Sequence, residues 1–178
     1  MKKLIKFIFV IAFIFSITNG FSQKNYKFGH INSQELIQLM PERDIASAAL
    51  QEHTAQLENQ LKEMNSEIES KYTVYMQQKD TYTDLIRQTK EKELGDLQER
   101  MQNFQMTAQQ DIQNKEAELW QPIVDKANKA IDEVGKENGF TYIFDVSTGS
   151  VVYFSPESID VMPLVKAKLG ITTTTTTE

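Results

Sequence analysis

The chain has 178 residues with 19 Lys and Arg, 25 Asp and Glu, two histidines and no cysteine, for a formal net charge of -6. That composition excludes disulfides, thiolate nucleophiles and cysteine-based metal sites, and an acidic balance is a poor match for nucleic acid. Seven glycines and four prolines are few for this length, which suits long helices.

The first residues read as a secretory signal peptide. Lys2, Lys3 and Lys6 form a basic start, Leu4 to Ile17 is an almost unbroken apolar run, and Gly20 and Ser22 stand at positions -3 and -1 of a cut before Gln23. The apolar run is shorter than the ~20 residues a spanning helix needs. Residues 1–22 are therefore expected to be removed, which places the protein in the periplasm with 16 basic and 25 acidic residues and a net charge of -9.

From Tyr26 the sequence "YKFGHIN" alternates as a short strand with Tyr26, Phe28 and His30 on one face. Asn32 or Ser33 caps one or two helical turns, "SQELIQLM", which stop before Pro41. A long helix then begins near Pro41, with Glu42 and Asp44 at the positive end of its dipole, and runs without Gly or Pro to about Thr81. Leu50, Leu57 and Met64 are seven apart, as are Leu61, Ile68, Tyr75 and Tyr82; together they make a thin heptad seam, interrupted by Lys71 and Gln78. The segment from Lys79 to Gln88 must turn the chain. A second long helix follows, with Leu94, Leu97, Met101, Phe104, Ala108, Ile112, Leu119 and Ile123 along it, and ends at Asn138-Gly139. Two such helices joined by a short turn must lie antiparallel, as a rod of about 60 Å. Pro122, beside Trp120, marks either the place where the rod enters a globular body, beyond which apolar residues are denser, or a simple kink in a continuous rod.

After Gly139, "FTYIFDV", the turn "STGS" and "VVYF" read as a β-hairpin. A last short helix, capped by Ser158 or Asp160, carries Val161, Leu164, Val165 and Leu169 and stops at Gly170. The tail "ITTTTTTE", residues 171–178, has nothing to bury and is expected to be disordered.

The fold class is thus α+β: a long antiparallel α-helical hairpin on a small β-sheet body. Residues 24–41 and 140–170, with the helix base at about 122–138, make the body, and residues 42–138 make the arm. About three strands are close to the minimum for an independent sheet, so pairing with another copy is expected.

No catalytic, metal-binding or cofactor-binding constellation is present. His30 and His53 lack ligand-like partners, and no phosphate loop or nucleophile–base arrangement occurs, so the chain reads as a non-enzyme without cofactors. The numerous charges have the spacing of solvated helix faces, as in Glu58–Lys62 and Glu67–Lys71. Tyr72, Met76, Tyr82, Leu85, Ile86 and Met106 are candidates for an adaptable apolar lining that contacts an unfolded client.

Residues 24–170 resemble the Skp/OmpH family of periplasmic chaperones. The resemblance is carried by "YKFGHINSQELIQLMPE", by the charged hairpin, by "ELWQPIVDKANKAIDEVGKENGFTYIFDVS" and by "VVYFSPESIDVMPLVKAKLG". It implies a homotrimer whose sheets join in one barrel-like core and whose hairpins surround a cavity that holds unfolded outer-membrane proteins without ATP. Phe28, Ile31, Phe140, Tyr142, Phe144, Val146, Val151 and Tyr153 would then form the trimer core. The sequence departs from the basic arms of the best-known members: Lys79 to Arg100 holds five basic residues and six acids. Membrane contact is not indicated by such charge, and apolar or hydrogen-bonded holding is the expected mode. A coiled-coil adaptor of the envelope, docking one folded partner, is the alternative.

Overall fold

The computed structural model describes residues 26–171. The signal segment at 1–22 and the poly-threonine stretch lie outside the described residues.

Strand β1, Phe28–Ile31, opens the body. Helix α1, Ser33–Leu39, follows at once because Asn32 accepts the Glu35 N–H on its side-chain oxygen at 3.1 Å. It ends at Met40, whose backbone is extended as the residue before a proline must be. Pro41 then starts helix α2, Pro41–Gln78, with Glu42 and Asp44 in its first turn. A 3₁₀ turn at Lys79–Thr81 reverses the chain. Helix α3, Asp84–Glu137, begins where Thr83 accepts the Ile86 N–H. It passes through Pro122 unbroken, with that proline on the exposed side. Asn138 and Gly139, the latter at φ 66°, close the helix.

The helices α2 and α3 run antiparallel. Glu42 meets Lys126, His53 meets Asp111, Glu67 meets Arg100, and Lys71 meets Glu93. The seam between them is narrow: Ala46, Met64, Leu97 and Ala108 are the buried positions, while Leu57, Leu61 and Phe104 are only half-buried. Such a stripe gains far less burial than a core helix would. Past the seam α3 enters the body, where Ile123, Ala127, Ala130 and Val134 are buried.

The body corrects the expected β-hairpin. Strand β2, Tyr142–Asp145, does not fold back on "VVYF" but pairs parallel with β1, Phe28 opposite Tyr142 and His30 opposite Phe144. A third strand, β3 at Ile159–Asp160, pairs parallel with the other side of β1, giving the order β2-β1-β3. Residues 151–155 carry no strand pairing. The physical reason is topological: a hairpin needs "VVYF" beside β2, and the chain instead crosses to place β3 on the other side of β1 and helix α4, Met162–Leu169, against α3.

Alternation in β1 and β2 sends Gly29 and Ile31 toward the helices and Phe28 and His30 away. The inner face packs on Leu36, Met40, Val161 and Val165, all essentially buried. Burying side chains of this kind contributes roughly 1.5–3 kcal/mol each. Gly170, at φ 70°, stops α4, and Ile171, which the sequence reading placed in the tail, packs on this core instead. The N-cap of α4 is Val161, without a side-chain cap bond, rather than the expected Ser158 or Asp160; Asp160, one residue earlier, accepts the Met162 N–H at 2.8 Å.

Candidate functional site

Two surfaces collect exposed apolar side chains: the outward face of the sheet and the far end of the arm.

On the sheet, period-two alternation lines up rings that a lone chain leaves in water. Phe28 stacks between Tyr26 at 6.4 Å and Tyr142 at 6.2 Å, and Phe144 lies 5.9 Å from Tyr142 and 6.3 Å from Phe28. Tyr142 remains 62 % exposed and Phe144 45 %. Aromatic pairs at these spacings favour one another, but their outer faces remain unburied. The segment 150–155 runs past this face and leaves a groove of about 660 Å³ lined by Phe28, His30, Phe144 and its own residues. Val152 is 96 % exposed and Tyr153 78 %. A contiguous apolar run at such exposure has backbone and side chains suited to a further layer.

Of the eight residues named for an oligomer core, Phe28, Tyr142 and Phe144 share the outward sheet face, with Tyr153 and the half-buried Val151 beside it. Ile31 and Phe140 do not belong there. Ile31 is 1 % exposed inside the chain's own core, and the Phe140 ring packs on that core beneath the Lys27 ammonium at 4.1 Å. Strand parity settles Ile31: it sits three positions from Phe28 and faces the opposite way. Val146 is half-buried and donates its N–H to the Ile31 carbonyl at 2.9 Å. His30, Val152 and Phe154 join the face without having been named for it. The unbroken apolar "VVYF" run was the signal for Val152 and Phe154, and the alternation of "YKFGHIN", which puts His30 on the side of Phe28, was the signal for His30.

Asp145 holds the loop that leaves β2. Burial pulls its carboxyl up, but hydrogen bonds from the Ser33 hydroxyl (2.5 Å) and the Ser147 and Ser33 N–H groups outweigh this and leave it below its ordinary value.

On the arm, Tyr72 and Met76 are one helical turn apart on one face of α2 and exposed, and the exposed Val74 points to another side. Leu85 and Ile86 are exposed in the first turn of α3. Tyr82 is half-buried; its hydroxyl donates to the Gln78 side chain at 2.9 Å and its ring lies 6.4 Å from Tyr75. These five lie in the last turns of α2, the reversing turn and the first turn of α3. Met106, 66 % exposed, stands apart, about 20 Å along α3 from Glu93. Five of the six candidate lining residues are therefore near the far end of the arm, and the sixth is on the shaft.

Below the tip the two helices are tied by charge. Lys71, the residue that interrupts the heptad, reaches Glu93, which also binds Lys90 at 3.0 Å. Lys71 first, then Lys90, holds the Glu93 carboxyl down to about 2, and Glu93 in turn raises Lys71. The Tyr75 hydroxyl donates to Glu91 at 2.6 Å and is raised by that bond. Because the folded-state value of Glu93 is depressed, the stability it lends is present above the ordinary glutamate value of about 4.3 and is lost as pH falls toward 2. The Glu93 carboxylate should accordingly titrate near 2 by NMR, and Lys71→Met should move it up toward the ordinary range. A wild-type titration near 4.3 would contradict the tie.

Among the described residues no group of three or more His, Asp or Glu is placed to hold a metal ion, and no helix is long and apolar enough to cross a membrane.

A family model for outer membrane proteins of the OmpH-like kind matches residues 27–169. No curated protein matches. Among solved structures, a protein from Caulobacter crescentus CB15 described as an outer membrane chaperone (OmpH-like) aligns with a TM-score of 0.69 at 15 % identity, covering 81 % of this chain and 83 % of that one. At that identity the alignment speaks for the fold. The family match spans the body, both arms and the closing helix, and the chain belongs to the OmpH-like family.

Proposed function

We propose that this protein is an ATP-independent holdase of the periplasm, a chaperone that keeps unfolded outer-membrane proteins from aggregating. Three copies join through the outward sheet faces, and their arms enclose the space in which a client is held. The observation that carries this reading is the row of stacked, half-exposed aromatic rings on the sheet at the root of a slender polar rod. A surface of that kind is costly in water and marks an association site. Once it is closed by other copies, the arms become walls of a shared cavity. Membership of the OmpH-like family and the chaperone description of the Caulobacter protein support the same reading.

The arm end is mixed in charge, with five basic residues and six acids from Lys79 to Arg100. Holding therefore relies on the exposed Tyr72, Met76, Leu85, Ile86 and Met106 with the half-buried Tyr82, and it should weaken little with salt. A client bound in this way is withdrawn from aggregation by mass action.

The test is light scattering of a denatured porin diluted from urea with and without the purified protein. One trimer per porin should suppress aggregation, at low and high salt alike. Absence of suppression at every salt concentration would overturn the proposal. Tight binding to one folded partner without protection of unrelated chains would identify an adaptor.

A further inference from the structure

His30 lies in the middle of the surface on which the proposed assembly depends, and nothing in that assembly calls for a titratable group there. It projects from β1 on the same face as Phe28, opposite Phe144 in the register. Its ring stacks on Phe154 at 4.1 Å, and its Nδ1 shares a 2.9 Å hydrogen bond with the Ser158 hydroxyl. Histidine changes charge between about pH 5 and 8, and a hydroxyl satisfies the neutral ring without compensating a positive one.

No carboxylate around it pairs with its ring, whose polar partner is the Ser158 hydroxyl. Asp160 is level with His30 on β3, but its carboxylate accepts the Met162 N–H. The Glu157 carboxylate is engaged by the Ser155 hydroxyl. On β2, Tyr142 presents a phenol and Asp145 is held by Ser33 and Ser147. The segment 150–155 brings Tyr153, and the start of β1 brings Tyr26 and Lys27, whose ammonium sits on the Asn138 carbonyl and the Phe140 ring. Among the described residues the histidine–carboxylate ion pair is His53–Asp111, on the arm.

We infer that His30 is a proton-operated release built into the assembly face: neutral, it packs among the rings; protonated, it drives the copies apart. In a separate chain the ring is half-buried, open to water beside the Phe154 face. In the assembly each copy would bury an unpaired charge among aromatic side chains and close to its symmetry mates, which is strongly unfavourable. Acidification therefore acts through this residue against association. The bulk charge acts the other way: with more acids than bases, the chain loses net charge as pH falls, and mutual repulsion weakens. His53 lies on the arm, in its pair with Asp111 within one chain, away from this face. Dissociation in mild acid thus has a sign that only His30 supplies.

This inference rests on the proposed assembly, and one experiment separates the two. Molar mass of the purified protein is measured by light scattering over a dilution series at pH 7.5 and 5.5, with circular dichroism at both. The wild type should be assembled at pH 7.5 and dissociate about tenfold or more readily at pH 5.5 with its helix content intact. His30→Gln and His30→Asn should associate alike at the two pH values, and His53→Gln should behave as the wild type. Equal association of the wild type at both pH values, or an acid response that survives in a folded His30 variant, overturns the release and leaves the chaperone reading standing. Single copies at pH 7.5 overturn both.

Discussion

Phe144→Asp is expected to convert the protein from an assembly to folded single chains, with loss of chaperone activity. In one chain Phe144 is 45 % exposed on the outward sheet face, beside Phe28 and Tyr142, so the aspartate can reach water and the interior is undisturbed. In the proposed assembly the same carboxylate is carried into a face of rings. Each wild-type ring that closes contributes roughly 2 kcal/mol through apolar burial. The aspartate removes that and adds the cost of an unpaired buried charge, several kcal/mol per copy. The dissociation constant should rise by at least about a thousandfold. Light scattering reads the mass, and far-ultraviolet circular dichroism reports retained helices. Unchanged mass at micromolar concentration would show that the sheet face is not the joint. Loss of protection toward a porin in the same variant would tie the cavity between arms to the activity.

How much of this was readable beforehand differs between arm and body, for a physical reason. The arm is governed by local rules: a proline at the first helical position, a threonine cap at Thr83, a heptad seam and an Asn-Gly stop, each acting within a few residues. Even Lys71, an apparent flaw in the seam, is explained by its partner on the other helix. The body is governed by non-local pairing. "FTYIFDV" and "VVYF" satisfy every local condition for a hairpin, and only the competition for the edge of β1 decides that β2 and β3 take both sides of it. The candidate face followed the same division. Phe28, Tyr142 and Phe144 share parity along their strands, which a sequence displays. Phe140 lies just outside its strand, where parity no longer applies, and so was assigned to the wrong layer. Phe154 reaches His30 through a loop whose course no periodicity announces.

Glycine-to-alanine substitution at two positions should give stability changes of opposite sign. Gly29 lies in β1 where the sheet meets the helices; a β-carbon there would stand 2.8 Å from the Val161 side chain and 2.9 Å from the Phe140 ring. Neither neighbour has room to move. Val161 is fully buried and is tied to β1 by its N–H bond to the His30 carbonyl at 3.0 Å, and Phe140 is pinned between the core and Lys27. Overpacking of this kind costs about 1–3 kcal/mol. Gly95 lies inside α3 with nothing within 4 Å of its would-be β-carbon. There alanine meets no neighbour and only restrains the unfolded chain, so it should add about 0.5–1 kcal/mol. At roughly 2–4 °C of melting midpoint per kcal/mol, Gly29→Ala should melt several degrees below the wild type and Gly95→Ala a few degrees above it. The two read different parts of the molecule. The sheet must approach Val161 and Phe140 closely to present its aromatic side outward, so a backbone displaced by an alanine at 29 also tilts Phe28 and His30, and weakened assembly should accompany the lower midpoint. A Gly29→Ala protein as stable as the wild type would mean that β1 does not lie against Val161, and that the outward face is not held where this structure places it.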